Sequence, residues 1–172
     1  MKRSEFEHIL RAAGAISGAS DLVVIGSQAI LGWPTPPPPE LLVSIEVDVY
    51  PRDHPELADL IDGSIGEASP FHETFGYYAH GVGPETAILA SGWQERLCPF
   101  RSENTQNVTG WCLHPVDLAL SKLAAGRPKD LDYVHRLFQA GLADREQARI
   151  LADSLPESHR AVVQARLRGE RG

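Results

Sequence analysis

The sequence predicts an α+β fold: a small mixed β-sheet with flanking helices, followed by a lobe built from helices. Two observations predict it. Short apolar runs separated by Pro and Gly, which are typical of strands, lie in the first two thirds of the chain. Beyond Pro115, apolar residues recur at the three- and four-residue spacing of helices. We therefore predict an α/β core over residues 1–113 and a helical C-terminal lobe over residues 114–172.

The first elements follow from local signals. Ser4 and Glu7 have the spacing of a capping box, so we expect Ser4 to cap a first helix that ends at Gly18. The apolar run 22–25, stopped by Gly, predicts a buried strand, and residues 27–31 predict a short helix.

A proline-rich segment separates this helix from the second predicted strand. Proline fixes φ and lacks the amide donor, so residues 33–39 should form an extended surface loop. Residues 41–50 predict a strand whose side chains alternate between two faces. One face carries Val43, Ile45, Val47 and Val49, and the other carries Ser44, Glu46, Asp48 and Tyr50.

The remaining elements are shorter. Residues 55–65 predict a helix with Leu57, Leu60 and Ile61 as its apolar stripe. Residues 77–79, 86–89 and 108–113 are β-like runs. The second part of the chain predicts four helices, over 115–125, 128–140, 144–154 and 156–168.

Composition restricts the function classes. The chain has 172 residues, 42% hydrophobic and 23% charged, and no apolar run approaches the roughly 18 residues of a membrane-spanning helix. The N-terminal residues lack the apolar region of a secretory signal. Cys98 and Cys112 are too few for a disulfide scaffold and lack zinc-site spacing. We expect a cytoplasmic protein with reduced thiols and no membrane partner.

Charge is unevenly distributed along the chain. The net charge is −7, with 6 Lys+Arg against 15 Asp+Glu in residues 1–113 and 10 against 8 in residues 114–172. An acidic first part argues against a protein that coats DNA. It is compatible with carboxylates that gather a divalent metal while the second part contacts phosphate.

Glu46 and Asp48 lie two residues apart on the second predicted strand, so both side chains point to the same face. Like charges this close repel each other unless a cation or water compensates them. Carboxylate oxygens are ligands for Mg²⁺, together with water and substrate phosphates. The pattern indicates either a Mg²⁺–nucleotide site or the solvated face of an amphipathic strand.

Gly26 and Ser27 form the turn between the first strand and the following helix. Such a turn offers backbone N–H groups, a hydroxyl and a helix N-terminus, all suited to phosphate. The alternative is an ordinary turn in which Ser27 caps the helix.

Together, Ile25-Gly26-Ser27 and Glu46-Val47-Asp48-Val49 resemble the motif of the nucleotidyltransferase superfamily related to polymerase β. The gap between the two parts, residues 28–45, is longer than is usual in that superfamily and contains the proline loop. A second block is similar to a signature of small bacterial nucleotidyltransferase-like proteins, which include the AbiEii/MenT-type toxins. That block reads Lys122-Leu123-Ala124-Ala125-Gly126-Arg127-Pro128-Lys129-Asp130.

The resemblance implies a Mg²⁺-dependent transfer of NMP from an NTP to an RNA, such as tRNA, or to a protein. It implies catalytic roles for Glu46, Asp48, Lys122 and Asp130, with the two strand carboxylates as metal ligands. Gly26, Ser27, Arg127 and Lys129 would bind the nucleotide. Asp130 would either orient a neighbouring cation or act as a base. By analogy with the toxins, a cognate antitoxin is an expected partner.

A departure from the superfamily leaves a second hypothesis open. Active members commonly add a third carboxylate on a neighbouring strand, and the corresponding residues 75–85 offer Glu85 and His80 instead. The alternative function is therefore a catalytically degenerate binding domain, or the antitoxin side of a toxin–antitoxin pair.

Overall fold

The predicted α+β class is confirmed by a computed structural model, which describes residues 1–169. The strands are β1 (Asp21–Ile25), β2 (Glu46–Pro51), β3 (Tyr78–Gly81), β4 (Cys98–Phe100) and β5 (Thr109–Cys112). The helices are α1 (Arg3–Ser17), α2 (Ala58–Ile65), α3 (Pro70–Phe75), α4 (Pro115–Ala125), α5 (Pro128–Gln139), α6 (Arg145–Ala152) and α7 (Glu157–Arg168). Short 3₁₀ turns connect several of them.

The strands form one mixed, five-stranded sheet in the order β3-β2-β1-β5-β4. β1 lies at its centre, antiparallel to β2 and parallel to β5. β3 runs parallel to β2, and β4 runs antiparallel to β5. This order places β2, which carries both acidic residues of the motif, between two other strands.

The first helix begins earlier than expected. Its N-cap is Lys2 rather than Ser4, and the Glu5 carboxylate, not that of Glu7, accepts a hydrogen bond from the Lys2 backbone N–H at 2.7 Å. Glu7 is buried and accepts a hydrogen bond from Asn104 instead. The end of the helix at Gly18 is confirmed, with φ of 70° there.

The second strand is shorter than the alternation predicted. It begins at Glu46 instead of residue 41, and Val43 and Ile45 are exposed. The β1–β2 ladder ends at Ile25 opposite Asp48, and β2 continues back to Glu46 only because Glu46 and Val47 pair with β3. Residues 41–45 extend past the end of β1 and have no strand to pair with on that side.

In the region before α4, one predicted strand is wrong and one observed strand was not predicted. Residues 86–89 are not a strand: Thr86 ends a 3₁₀ turn, and the residues that follow join no ladder of the described chain. The strand β4 was missed because it contains Pro99, which lacks the amide donor that a strand interior needs. Its position at the edge of the sheet makes that proline tolerable.

The helices after residue 114 confirm the predicted order of four. Pro occupies the first turn of both α4 and α5, and Gly126 ends α4 with φ of 67°. In α2, by contrast, Leu60 is exposed, and the buried face is formed by Ala58, Ile61 and Ile65.

The buried apolar side chains form one cluster that includes residues of α1, the sheet and helices α4 to α7. The C-terminal helices therefore pack on the same core as the strands. Within residues 1–169, no helix is both long and apolar enough to cross a membrane. The thiols of Cys98 and Cys112 are both free.

Candidate functional site

The acidic side chains of β2 lie beside two side chains of β3. Because β2 and β3 are parallel and in register, Glu46 is opposite Tyr78 and Asp48 is opposite His80. The Tyr78 hydroxyl donates a hydrogen bond to Glu46 Oε2 at 2.8 Å, and His80 Nδ1 is 2.9 Å from Asp48 Oδ1. Each carboxylate thus has its own partner on the neighbouring strand.

Glu46, Asp48 and His80 form a compact donor set. One ligand atom from each lies within 4.8 Å of the other two. Glu85, the other candidate for a third member, follows β3 by four residues and is not part of this set. Tyr78 and His80 lie two residues apart on β3 and so share a face of the sheet. Once β3 is paired with β2, this spacing would have identified His80 as the neighbour of Asp48.

Gly26 forms one wall of this site. It has φ of 71° and ψ of −171°, a conformation that is essentially restricted to glycine. A Cβ at this position would lie 1.9 Å from Asp48 Oδ2. The turn before the 3₁₀ helix Ser27–Gly32 therefore touches the carboxylate directly, and only glycine fits there.

The environment of Asp48 penalises its negative charge. Burial, together with the neighbouring charge of Glu46, raises the pKa of Asp48. The hydrogen bond from His80 and the charge of Lys122 oppose this shift without cancelling it. A pair of carboxylates held in this way gains most from a bound cation.

A second cluster lies at the junction of α4 and α5. Asp130 is 1% exposed, and its two oxygens contact two different cations. Lys122 Nζ is 3.1 Å from Oδ1, and Arg127 Nε is 2.5 Å from Oδ2. Within the block of residues 122–130, the buried Asp130 carboxylate therefore binds the Lys122 ammonium and the Arg127 guanidinium, and we call these three residues the triad.

The charges of this triad act on each other and on the strand carboxylates. Burial lowers the pKa of Lys122, and the hydrogen bond to Asp130 opposes that shift. Burial acts to raise the pKa of Asp130, but hydrogen bonds from Arg127 and Lys122 outweigh it and hold this pKa below its usual value. The charge of Asp48 also acts to raise the pKa of both Lys122 and Arg127.

Lys129 is outside this arrangement. It is exposed in the first turn of α5, and within residues 1–169 it forms no ion pair. Its predicted contact with nucleotide stays a prediction.

Tyr133, which was not among the predicted site residues, joins α5 to the Gly26-Ser27 turn. Its hydroxyl donates a hydrogen bond to the backbone carbonyl of Ser27 at 2.7 Å. Lys122 Nζ lies 4.5 Å from the centre of its ring, within the range of a cation–π contact. One α5 side chain therefore connects both halves of the site, and its helical spacing from Asp130 was the available signal.

The donor set suits a divalent cation. It combines carboxylate oxygens, which such ions prefer, with an imidazole nitrogen, and the nearby cations suit phosphate. A mixed sheet that carries a carboxylate pair near a cationic helix junction fits a protein of the nucleotidyltransferase class.

The family comparison agrees with this class. Residues 4–160 match the family described as "Nucleotidyltransferase of unknown function (DUF6036)", and the chain belongs to that family. No curated protein and no solved structure matches the chain.

Proposed function

We propose that the protein transfers a nucleoside monophosphate from an NTP to a hydroxyl of a second macromolecule. The observation that supports this most directly is the link between the β2 carboxylates and the Lys122–Asp130–Arg127 triad: Lys122 lies against the Tyr133 ring, Tyr133 bonds to the Gly26-Ser27 turn, and that turn abuts Asp48. One cluster offers oxygen ligands for a cation, and the other offers positive charge for phosphate. Family membership supports the same class of reaction.

Glu46 and Asp48 would hold the Mg²⁺. The two carboxylates lie close together, and the pKa of Asp48 is raised, so a bound cation would stabilise their negative charges. When bound, Mg²⁺ polarises the phosphoryl oxygens and offsets the charge that develops on them. Tyr78 would fix the orientation of the Glu46 carboxylate through its hydrogen bond.

Gly26 and Ser27 would hold the β- and γ-phosphates. Backbone N–H groups at the start of a helix attract anions. The Asp48 carboxylate fills the space on the Cβ side of Gly26, so a phosphate held by this turn would lie beside the proposed metal ligands. The bond from Tyr133 to the Ser27 carbonyl would keep this turn in place.

In the transfer step, the acceptor hydroxyl oxygen forms a bond to the α-phosphorus while the bond from that phosphorus to the β-phosphate oxygen breaks. Pyrophosphate leaves with the electron pair of the broken bond, and the hydroxyl proton passes to solvent. Lys122 and Arg127 would neutralise the charge that moves onto pyrophosphate. Asp130, with both oxygens engaged and its pKa lowered, is suited to orienting these cations rather than to accepting a proton.

We propose that the acceptor is a hydroxyl of an RNA, such as tRNA, or of a protein. We further propose that the chain is a cytoplasmic protein and acts as the toxin of a toxin–antitoxin pair. This part rests on the resemblance of the 122–130 block to the AbiEii/MenT-type toxins. The cognate antitoxin would then be the partner chain.

A label-transfer experiment tests this function. The full chain is incubated with each α-labelled NTP, Mg²⁺ and either total bacterial RNA or a protein extract. We expect label in one fraction, and expect Asp48→Asn to abolish it while Asp53→Asn, the same change at an exposed neighbour outside the donor set, does not. Nucleotide binding in calorimetry without transfer to either fraction would favour the degenerate binding domain instead.

A further inference from the structure

The third member of the donor set is a nitrogen rather than an oxygen. His80 occupies the position on β3 directly opposite Asp48, where its ring is 2.9 Å from that carboxylate. Its side chain is 49% exposed, against 18% for Asp48, so ions in solution can reach the ring. Glu46, Asp48 and His80 together supply two carboxylates and one imidazole.

A set of two carboxylates and one imidazole prefers different metal ions from a set of three carboxylates. Mg²⁺ favours oxygen ligands and keeps much of its water. Imidazole favours transition metals, whose affinity for a given site generally increases from Mn²⁺ towards Cu²⁺. Mn²⁺ accepts carboxylate as readily as Mg²⁺ does and also accepts imidazole nitrogen, so replacing one oxygen by one nitrogen favours Mn²⁺.

We infer that His80 is the third metal ligand of this site, and that it makes the site select a transition-metal ion of the Mn²⁺ type over Mg²⁺. The inference rests on the proposed function for the presence of a metal–nucleotide site. It goes beyond that function in naming the third ligand and the metal class.

His80 would act through a neutral ring nitrogen, the form in which histidine binds metals. The contact with Asp48 positions the ring beside the carboxylates before any ion arrives. His54 provides a matched comparison, because its Nδ1 is 3.0 Å from Glu56 in an exposed pair that belongs to no three-residue donor set within residues 1–169.

The experiment uses the metal alone. Mn²⁺ is titrated into the metal-free full chain and followed by electron paramagnetic resonance, with Mg²⁺ as competitor. Pulsed measurements on the bound ion then detect directly coordinated ¹⁴N. The variants are His80→Ala, His80→Asp and the control His54→Ala.

We expect the ¹⁴N coupling in the wild-type protein and in His54→Ala, and its loss in both His80 variants. Mn²⁺ affinity should fall at least about tenfold in His80→Ala. His80→Asp should bind Mg²⁺ more tightly than the wild type does, since it restores a third carboxylate.

Bound Mn²⁺ without ¹⁴N coupling in the wild-type protein would overturn the inference and leave the proposed function standing. Coupling that depends on His80, in a protein that transfers no label, would support the inference and overturn the proposed function. Failure of the wild-type protein to bind Mn²⁺, with or without NTP, would overturn the inference, and failure to bind Mg²⁺ as well would overturn the proposed function too.

Discussion

Asp48 carries a negative charge that the folded chain disfavours. Its pKa is raised, so the ionised carboxylate is less favourable in the folded chain than in the unfolded chain. This cost is present at neutral pH and disappears as the pH falls through the folded pKa and then below the ordinary value of 3.8. A bound cation would reverse the cost.

We therefore expect Asp48→Asn to raise the melting temperature at pH 7 in chelator, while lowering the transfer rate about a thousandfold. The gain in stability should vanish in scans below about pH 4. Adding Mn²⁺ should stabilise the wild-type protein and leave Asp48→Asn unchanged. A lower melting temperature for Asp48→Asn in chelator would show that the contact with His80 outweighs burial and repulsion.

Gly26 gives a second prediction at this scale. Gly26→Ala should cost about 1–3 kcal/mol of unfolding free energy from the backbone conformation alone. It should also displace the Asp48 carboxylate, because the new Cβ would lie 1.9 Å from its oxygen. Chemical denaturation and metal titration measure the two effects.

The control is Gly63→Ala in α2, where a Cβ meets nothing within 4 Å. It should stabilise the protein by up to about 1 kcal/mol, as alanine does in a helix interior, and leave metal binding intact. Equal stability of Gly26→Ala and the wild-type protein would contradict the close contact at the turn.

At the scale of the element, the triad at the α4–α5 junction depends on one buried carboxylate. Asp130→Asn would leave the buried Lys122 ammonium without an anionic partner, which costs about 3 kcal/mol of unfolding free energy at pH 7. Because the folded pKa of Asp130 is lowered, its contribution is complete above the ordinary value near 3.8 and is lost as the pH falls through the folded pKa.

Urea denaturation of Asp130→Asn and wild-type protein between pH 7 and pH 3 should therefore show a difference that is constant above about pH 5 and shrinks at acid pH. Asp132→Asn is the matched control: its pair with Arg136 is exposed and should contribute little. Equal losses for the two variants would contradict the buried triad.

The elements also show what the sequence can predict. Helix ends at Gly18 and Gly126 follow from local chain geometry, so the sequence located them correctly. The start of β2 depends on where its pairing with β3 begins, and the tolerance of Pro99 depends on its strand being at the edge. Such features are set by pairing between segments that are distant in the sequence. The alternation of apolar and polar residues carries no information about that pairing.

The same distinction applies to the site. Glu46 and Asp48 share a face because strand geometry requires it, and the sequence predicted this arrangement. His80 and Tyr133 enter the site through contacts across the chain, with β2 and with Ser27 respectively. The sequence offers His80 only as an alternative to Glu85 and Tyr133 only through its spacing from Asp130, so the assembled elements are needed to place both.

At the scale of the whole molecule, the Tyr133 hydroxyl connects α5 to the turn that follows β1. Tyr133→Phe removes the hydrogen bond to Ser27 and should cost about 1 kcal/mol of unfolding free energy. Tyr133→Phe should also weaken NTP binding, measured by calorimetry, because the Gly26-Ser27 turn, which we propose to contact phosphate, loses this hydrogen bond. Tyr77→Phe, which loses a similar 2.8 Å bond to His8, should cost similar stability and leave NTP affinity unchanged.

The measurement that tests the central claim most directly compares two labels in one reaction. NTP carrying label on the α-phosphate or on the γ-phosphate is incubated with the protein, metal ion and acceptor fractions. Nucleotidyl transfer predicts that α-label alone enters the acceptor, with γ-label released as pyrophosphate, and that Asp48→Asn stops both. Transfer of γ-label, or transfer that persists in Asp48→Asn, would contradict the claim.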